Sequence, residues 1–133
     1  MEVEFAFRKE KSLIFGEVPR PVASITLING NIESNEIVYV DSGADITLIA
    51  RSVGEYLGFK IESNDKIEEI KGIGGKSIPI IIKALTVKIG NFEKNARVAW
   101  SLIEDVPLLL GRLDLFELFE IIFKENKSTI FKR

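Results

Sequence analysis

The stretch Val38-Tyr39-Val40-Asp41-Ser42-Gly43-Ala44-Asp45 constrains this chain more than any other. The apolar run Ile37 to Val40 reads as a buried strand, and it delivers one acid, Asp41, at its end. A carboxylate placed there has poor access to water, so it must be hydrogen-bonded or share a proton. Gly43 permits a sharp turn and the close approach of another backbone, Ala44 keeps the turn narrow, and Ser42 can bond main-chain groups across it. The same residues also suit an ordinary strand-ending turn, where Asp, Ser and Gly are common. Other parts of the chain have to decide between the two.

The absences narrow the chemistry. Among the 133 residues there is no Cys and no His. That removes thiolate nucleophiles, Cys-based zinc sites, the Ser-His-Asp triad and the commonest general base. Any catalysis must use carboxylates, Lys, Tyr or hydroxyls. Asp41 and Asp45 have no third ligand nearby for an oxygen-only metal site, so neither a metal nor a cofactor is expected. A net charge of −2 is unlike the basic footprint of a nucleic-acid partner, and no apolar run is long enough to span a bilayer. The start, Met1-Glu2-Val3-Glu4-Phe5, is acidic where a secretory leader is basic, which makes the cytoplasm the expected location. The length suits one domain over residues 1–133, with 1–18 as an N-terminal β extension.

Taken in order, Met1 to Phe7 and Ser12 to Phe15 read as short strands around a charged turn, Arg8-Lys9-Glu10-Lys11. Pro19 and Pro21 interrupt any ladder there. Val22 to Ile28, the turn signal Asn29-Gly30 and the return through Glu36 to Val40 form a long hairpin ending at Asp41. Ala50, Val53 and Leu57 fall on one face of a short helix that Gly58 can end. Strands follow at Lys66 to Ile70, Ser77 to Ile82, Leu85 to Ile89, Phe92 to Trp100 and Val106 to Leu110. Ile78, Ile80 and Ile82 alternate with Pro79, Ile81 and Lys83, which gives their strand two distinct faces. The tail reads as a short helix, Leu113 to Phe119, then a hairpin of Glu120 to Phe123 and Ser128 to Phe131. Spacing does not place Trp100 beyond a core or interface role. The whole is a predominantly β single domain.

Gly72-Ile73-Gly74-Gly75-Lys76-Ser77 invites a phosphate-loop reading, which would make the chain a nucleotide binder. That motif needs a glycine where Ile70 stands and a helix afterwards, and Pro79 among alternating isoleucines opposes a helix. A hairpin tip is the better reading. Taken with Asp41-Ser42-Gly43-Ala44 and Leu108-Leu109-Leu110-Gly111-Arg112, in this order, it makes the chain resemble the retropepsin family of aspartic proteases from about Pro21 onward. The family pattern has an Asp-Thr/Ser-Gly-Ala turn, a glycine-tipped flap and a hydrophobic-hydrophobic-Gly-Arg segment before a short helix.

The resemblance implies an all-β closed barrel of the acid protease fold, with one short helix after Gly111-Arg112 and room for a second. It implies Asp41 as the catalytic acid, with Ser42 bonding across a dimer interface and Gly43 lining the substrate backbone. One carboxylate cannot serve as acid and base at once, whereas two held close share a proton. This chain has one such turn, so the pair has to come from two copies across a two-fold axis. Asp45 and Arg112 are expected to form an ion pair with two hydrogen bonds. Gly72, Ile73, Gly74 and Gly75 would form the flap. Val106, Pro107 and Leu109, with Ala44, Ile46 and Ile73 opposite, would wall the substrate pocket, although apolar residues beside a buried strand are more often plain core. Two departures are evident: Asp114 stands one residue later than the Asp that follows Arg in many relatives, and the segment before Pro19 has no clear counterpart. The expected function is a homodimeric aspartic endopeptidase acting on peptide or protein substrates. The alternative is a non-catalytic dimerisation or peptide-binding module.

Overall fold

Alternating side chains and two-residue glycine turns generate most of the architecture. The computed structural model describes residues 1–72 and 74–133. Its strands are β1 (Glu2–Ala6), β2 (Arg8–Ser12), β3 (Gly16–Arg20), β4 (Val22–Asn29), β5 (Ile32–Val40), β6 (Thr47–Ile49), β7 (Glu68–Lys71), β8 (Ser77–Ile89), β9 (Phe92–Ser101), β10 (Leu109–Leu110), β11 (Glu120–Lys124) and β12 (Ser128–Lys132), with one α-helix, α1 (Arg51–Tyr56). The β4–β5 and β8–β9 hairpins turn through Gly30-Asn31 and Gly90-Asn91, and Gly30 and Gly90 take left-handed φ values of 60° and 61°.

The main sheet runs β4-β5-β10-β6-β9-β8, and β4 pairs with β8 to close it into a six-stranded barrel. Closure leaves these strands no free edge. β7 extends the sheet from β8. Two pairings are parallel, β5 with β10 and β6 with β9. The β5-to-β6 connection, residues 41–46, therefore spans a strand, β10, that arrives from far along the chain.

The barrel is filled by a large core that includes Leu27, Val38, Ile81, Val87, Val98, Trp100 and Leu110. Ile81 faces this core, while its neighbour Ile80 faces a second cluster with Leu48 and Ala99. The two faces expected of β8 are thus both buried here. Trp100 is core: it lies against Gly54 of α1 and its indole N–H donates to the Arg51 carbonyl at 3.1 Å. A third sheet, β1-β12-β11, packs Val3, Phe5 and Phe131 onto the same core.

Several boundaries differ from expectation. The charged run Arg8 to Ser12 is a strand and Leu13-Ile14-Phe15 is the turn, the reverse of the sequence reading. The Ser12 hydroxyl accepts the N–H groups of Ile14 and Phe15, and Gly16 supplies a φ of 71°, so turn chemistry outweighs the apolar run. Pro19 sits opposite Lys9 in this two-stranded ladder, where its missing N–H can face outward. β8 is continuous because Lys83 and Ala84 pair with Val98 and Arg97. Only Leu109 and Leu110 of the expected Val106–Leu110 strand join the ladder. After Gly111-Arg112 the expected Leu113–Phe119 helix is a 3-10 turn over Phe116–Leu118. Asp114 there has a φ of 66°, which breaks helical continuity.

Candidate active site

Asp41 leaves β5 at the point where β10 ends beside it. Leu109 pairs with Tyr39 and Leu110 with Val40, and the Asp41 N–H donates to the Leu110 carbonyl at 3.1 Å. The chain then turns: the Ala44 N–H donates to the Asp41 carbonyl at 3.2 Å. Asp41 is half-buried, and its Oδ1 accepts the Gly43 N–H at 2.9 Å. A charge-assisted bond of this kind fixes the carboxylate and satisfies one of its oxygens. A Cβ on Gly43 would stand 3.2 Å from that same oxygen, so glycine leaves the acid its room.

The turn is pinned from beneath by the segment that follows β10. The Arg112 N–H donates to the Ala44 carbonyl at 3.0 Å and the Leu113 N–H to the Asp45 carbonyl at 2.8 Å. The Gly111 N–H donates to the buried Thr47 hydroxyl at 3.0 Å, and a Cβ on Gly111 would overlap the Ile46 carbonyl. The Gly-Arg pair thus has a physical reason. Glycine permits the backbones to touch, and the next two N–H groups hold the turn. Arg112 Nη2 also donates to Asp45 Oδ1 at 2.7 Å, through one hydrogen bond rather than the two expected. With Asp45 at 88 % and Arg112 at 56 % side-chain exposure, water screens this pair, and the backbone bonds hold the turn.

Ile46, Val106 and Leu109, all expected as pocket walls, come together around the second apolar cluster of Leu48, Ile80 and Ala99. Pro107, from the same set, is exposed. Ile70 and Ile78 also pack there, one from each strand of the β7–β8 hairpin. The sequence reading did not place these two at the site, although the alternation of Ile78 and Ile80 was the signal for a shared face. Lys71 pairs with Ser77 at the head of that hairpin, and the Gly72 N–H donates to the Lys76 carbonyl at 3.1 Å. Gly74 and Gly75 take φ values of 90° and 75°, and a Cβ on Gly72, Gly74 or Gly75 would meet nothing within 4 Å. The tip stands clear of the barrel. Ile73 lies outside the described residues.

Two further residues escaped sequence reasoning. Asp114 reaches back to β9, where Arg97 grips it with Nε on Oδ2 and Nη2 on Oδ1, each at 2.9 Å, and with its backbone N–H at 3.0 Å. These bonds, the guanidinium's first, hold the Asp114 carboxyl down to about 2. Tyr39, two residues before Asp41, donates its hydroxyl to Glu10 Oε2 at 2.6 Å. That bond, followed by the Arg8 hydrogen bond and the charges of Arg8 and Arg20, lowers the Glu10 carboxyl below its ordinary range.

No protein-family model matches the chain, and no curated protein matches it. Among solved structures it is similar to EIAV protease complexed with the inhibitor HBY-793, at 21 % identity and a TM-score of 0.55, over 70 % of this chain and 82 % of that one. The likeness is one of fold: the barrel is retropepsin-like.

Proposed function

We propose that this chain is a homodimeric aspartic endopeptidase that cleaves extended polypeptides. The observation that carries the reading is the position of Asp41. A single acid is held by the Gly43 N–H at the end of β5, next to β10, whose Leu109 joins an apolar cluster to which the glycine-tipped β7–β8 hairpin adds Ile70 and Ile78. Two such turns across a two-fold axis would place two carboxyls around one water. The ionised carboxyl takes a proton from that water, the protonated one polarises the peptide carbonyl, and the resulting tetrahedral adduct expels the amine after receiving a proton. Ile46, Val106 and Leu109, with Ile70 and Ile78, would receive apolar side chains flanking the cut bond. The β7–β8 tip would act as the flap that covers the substrate and excludes water. The retropepsin-like barrel supports a protease at the level of fold.

The test is hydrolysis of unfolded protein and peptide libraries from acid to neutral pH, with Asp41→Asn alongside. Cleavage by the wild type and none by Asp41→Asn is expected, and cleavage that survives the substitution ends the proposal. Peptide capture without cleavage is the second reading. One observation favours it: β7 is an edge strand of the main sheet and can pair with an extended chain. In that case peptides bind and stay intact, and Asp41→Asn leaves their affinity unchanged.

A further inference from the structure

The proposed site needs a second copy of this chain, and the strands nearest the two ends are already paired with one another. β1 and β12 run antiparallel from Glu2 opposite Lys132 to Ala6 opposite Ser128, and β11 takes the other edge of β12. Among the described residues that sheet keeps only the outer edges of β1 and β11 open.

The β2–β3 ribbon is built differently from the rest. It is a two-stranded sheet of its own, and neither strand contains a fully buried residue. A hairpin of this size is at best marginal on its own in water. Its tip holds out three consecutive apolar side chains, Leu13, Ile14 and Phe15, at 108 %, 82 % and 76 % exposure. A contiguous exposed apolar patch of this kind marks a docking surface.

The ribbon's base is fastened to the strand that carries Asp41. The Tyr39 hydroxyl donates to Glu10, and the Arg8 guanidinium lies 5.3 Å from the centre of the Tyr39 ring. The ribbon therefore touches β5 at Tyr39, two residues before Asp41. Within the ribbon Arg8 and Arg20 both contact Glu10 and Lys9 contacts Glu17, so four basic side chains share two carboxylates. On the reading above, the site beside which the ribbon is fastened is complete only when another copy arrives.

We propose that the β2–β3 ribbon is a dimerisation arm whose tip, Leu13-Ile14-Phe15, seats on a second copy of this chain and brings the two Asp41 turns together. The inference rests on the homodimeric reading above. It adds the element that makes the dimer.

Because the chain has no Cys, an Ile14→Cys variant carries one thiol, at the tip. Its alkylation by a maleimide should slow at least about tenfold as protein concentration rises through the dimer dissociation constant. In sedimentation equilibrium a Leu13→Ser/Ile14→Ser/Phe15→Ser variant should dissociate at least about tenfold more readily than the wild type, with an unchanged far-ultraviolet spectrum. If the wild type is dimeric, the triple variant dimerises equally well and the thiol reacts at one rate throughout, the arm is wrong while the homodimer stands. A wild type that stays monomeric at every concentration overturns both. Binding of the wild type but not the triple variant to phosphatidylserine-containing vesicles, with equal dimerisation of the two, overturns the arm in favour of a lipid surface.

Discussion

Gly111 passes so close to the carbonyl of Ile46 that a Cβ on the glycine would overlap it. This contact lies where the end of β10 runs beneath the Asp41 turn, and it sets how near the two segments come. Gly111→Ala must push them apart or distort the turn. A loss of about 1–3 kcal/mol of stability is expected, the usual range for overpacking at a tight site. Urea denaturation monitored by the fluorescence of the buried Trp100 measures it; an unchanged midpoint would show that the contact is slack.

Thr47 tests the same junction through a hydrogen bond. Its fully buried hydroxyl accepts the Gly111 N–H at 3.0 Å. Thr47→Val keeps the shape and strands that N–H, at a cost of about 1–3 kcal/mol. Thr47→Ser restores the acceptor and should lose less than the valine variant in the same denaturation series.

Under the proposed peptidase function, Gly43→Ala separates catalysis from folding. The added Cβ stands 3.2 Å from Asp41 Oδ1, and Gly43 does not have a left-handed backbone. The carboxylate must move by a few tenths of an ångström, while the fold has no reason to fail. Peptidase kcat should fall at least about tenfold, since reacting groups tolerate little misplacement, with the thermal midpoint nearly unchanged. Full activity in this variant would indicate that the Gly43 N–H does not position the acid.

Asp114 predicts an acid-sensitive contribution to stability. Arg97 lowers its carboxyl from 3.8 to about 2 in the folded chain. A depressed carboxyl stabilises the fold fully above the unfolded value near 3.8, and the contribution disappears as pH falls through about 2. Arg97 is 55 % exposed, so solvent screening reduces the gain to about 1 kcal/mol. Asp114→Asn should therefore destabilise the protein at pH 6 by about that amount, and the gap from wild type should close as the pH is lowered from 4 toward 2. A gap that is the same at both ends would assign the effect to the hydrogen bonds alone.

What the chain determines locally was legible in the sequence. The alternating runs, the turn signalled by Asn29-Gly30 and made one residue on at Gly30-Asn31, the Gly90-Asn91 turn, the short helix ended by Gly58 and the C-terminal hairpin depend on neighbours a few residues apart. The strand-ending position of Asp41 is legible for the same reason, as is the tip formed by Gly72, Gly74 and Gly75. The Leu13-Ile14-Phe15 turn misled because a run of large apolar residues resembles a strand, and only its pairing partners and the Ser12 hydroxyl show otherwise.

Tertiary structure alone decided the rest. Nothing near Val40 tells that a strand some 70 residues later lies between β5 and β6, yet this insertion is what makes Asp41-Ser42-Gly43 a candidate site and not a plain turn. The same insertion calls for glycine at 111 and gives Thr47 its acceptor role. It also leaves Asp114 to be held by Arg97 from another strand, in a backbone conformation that delays the helical turn to Phe116. Such pairings depend on loop closure over long stretches of chain and on the shape of the finished barrel. A local pattern encodes neither.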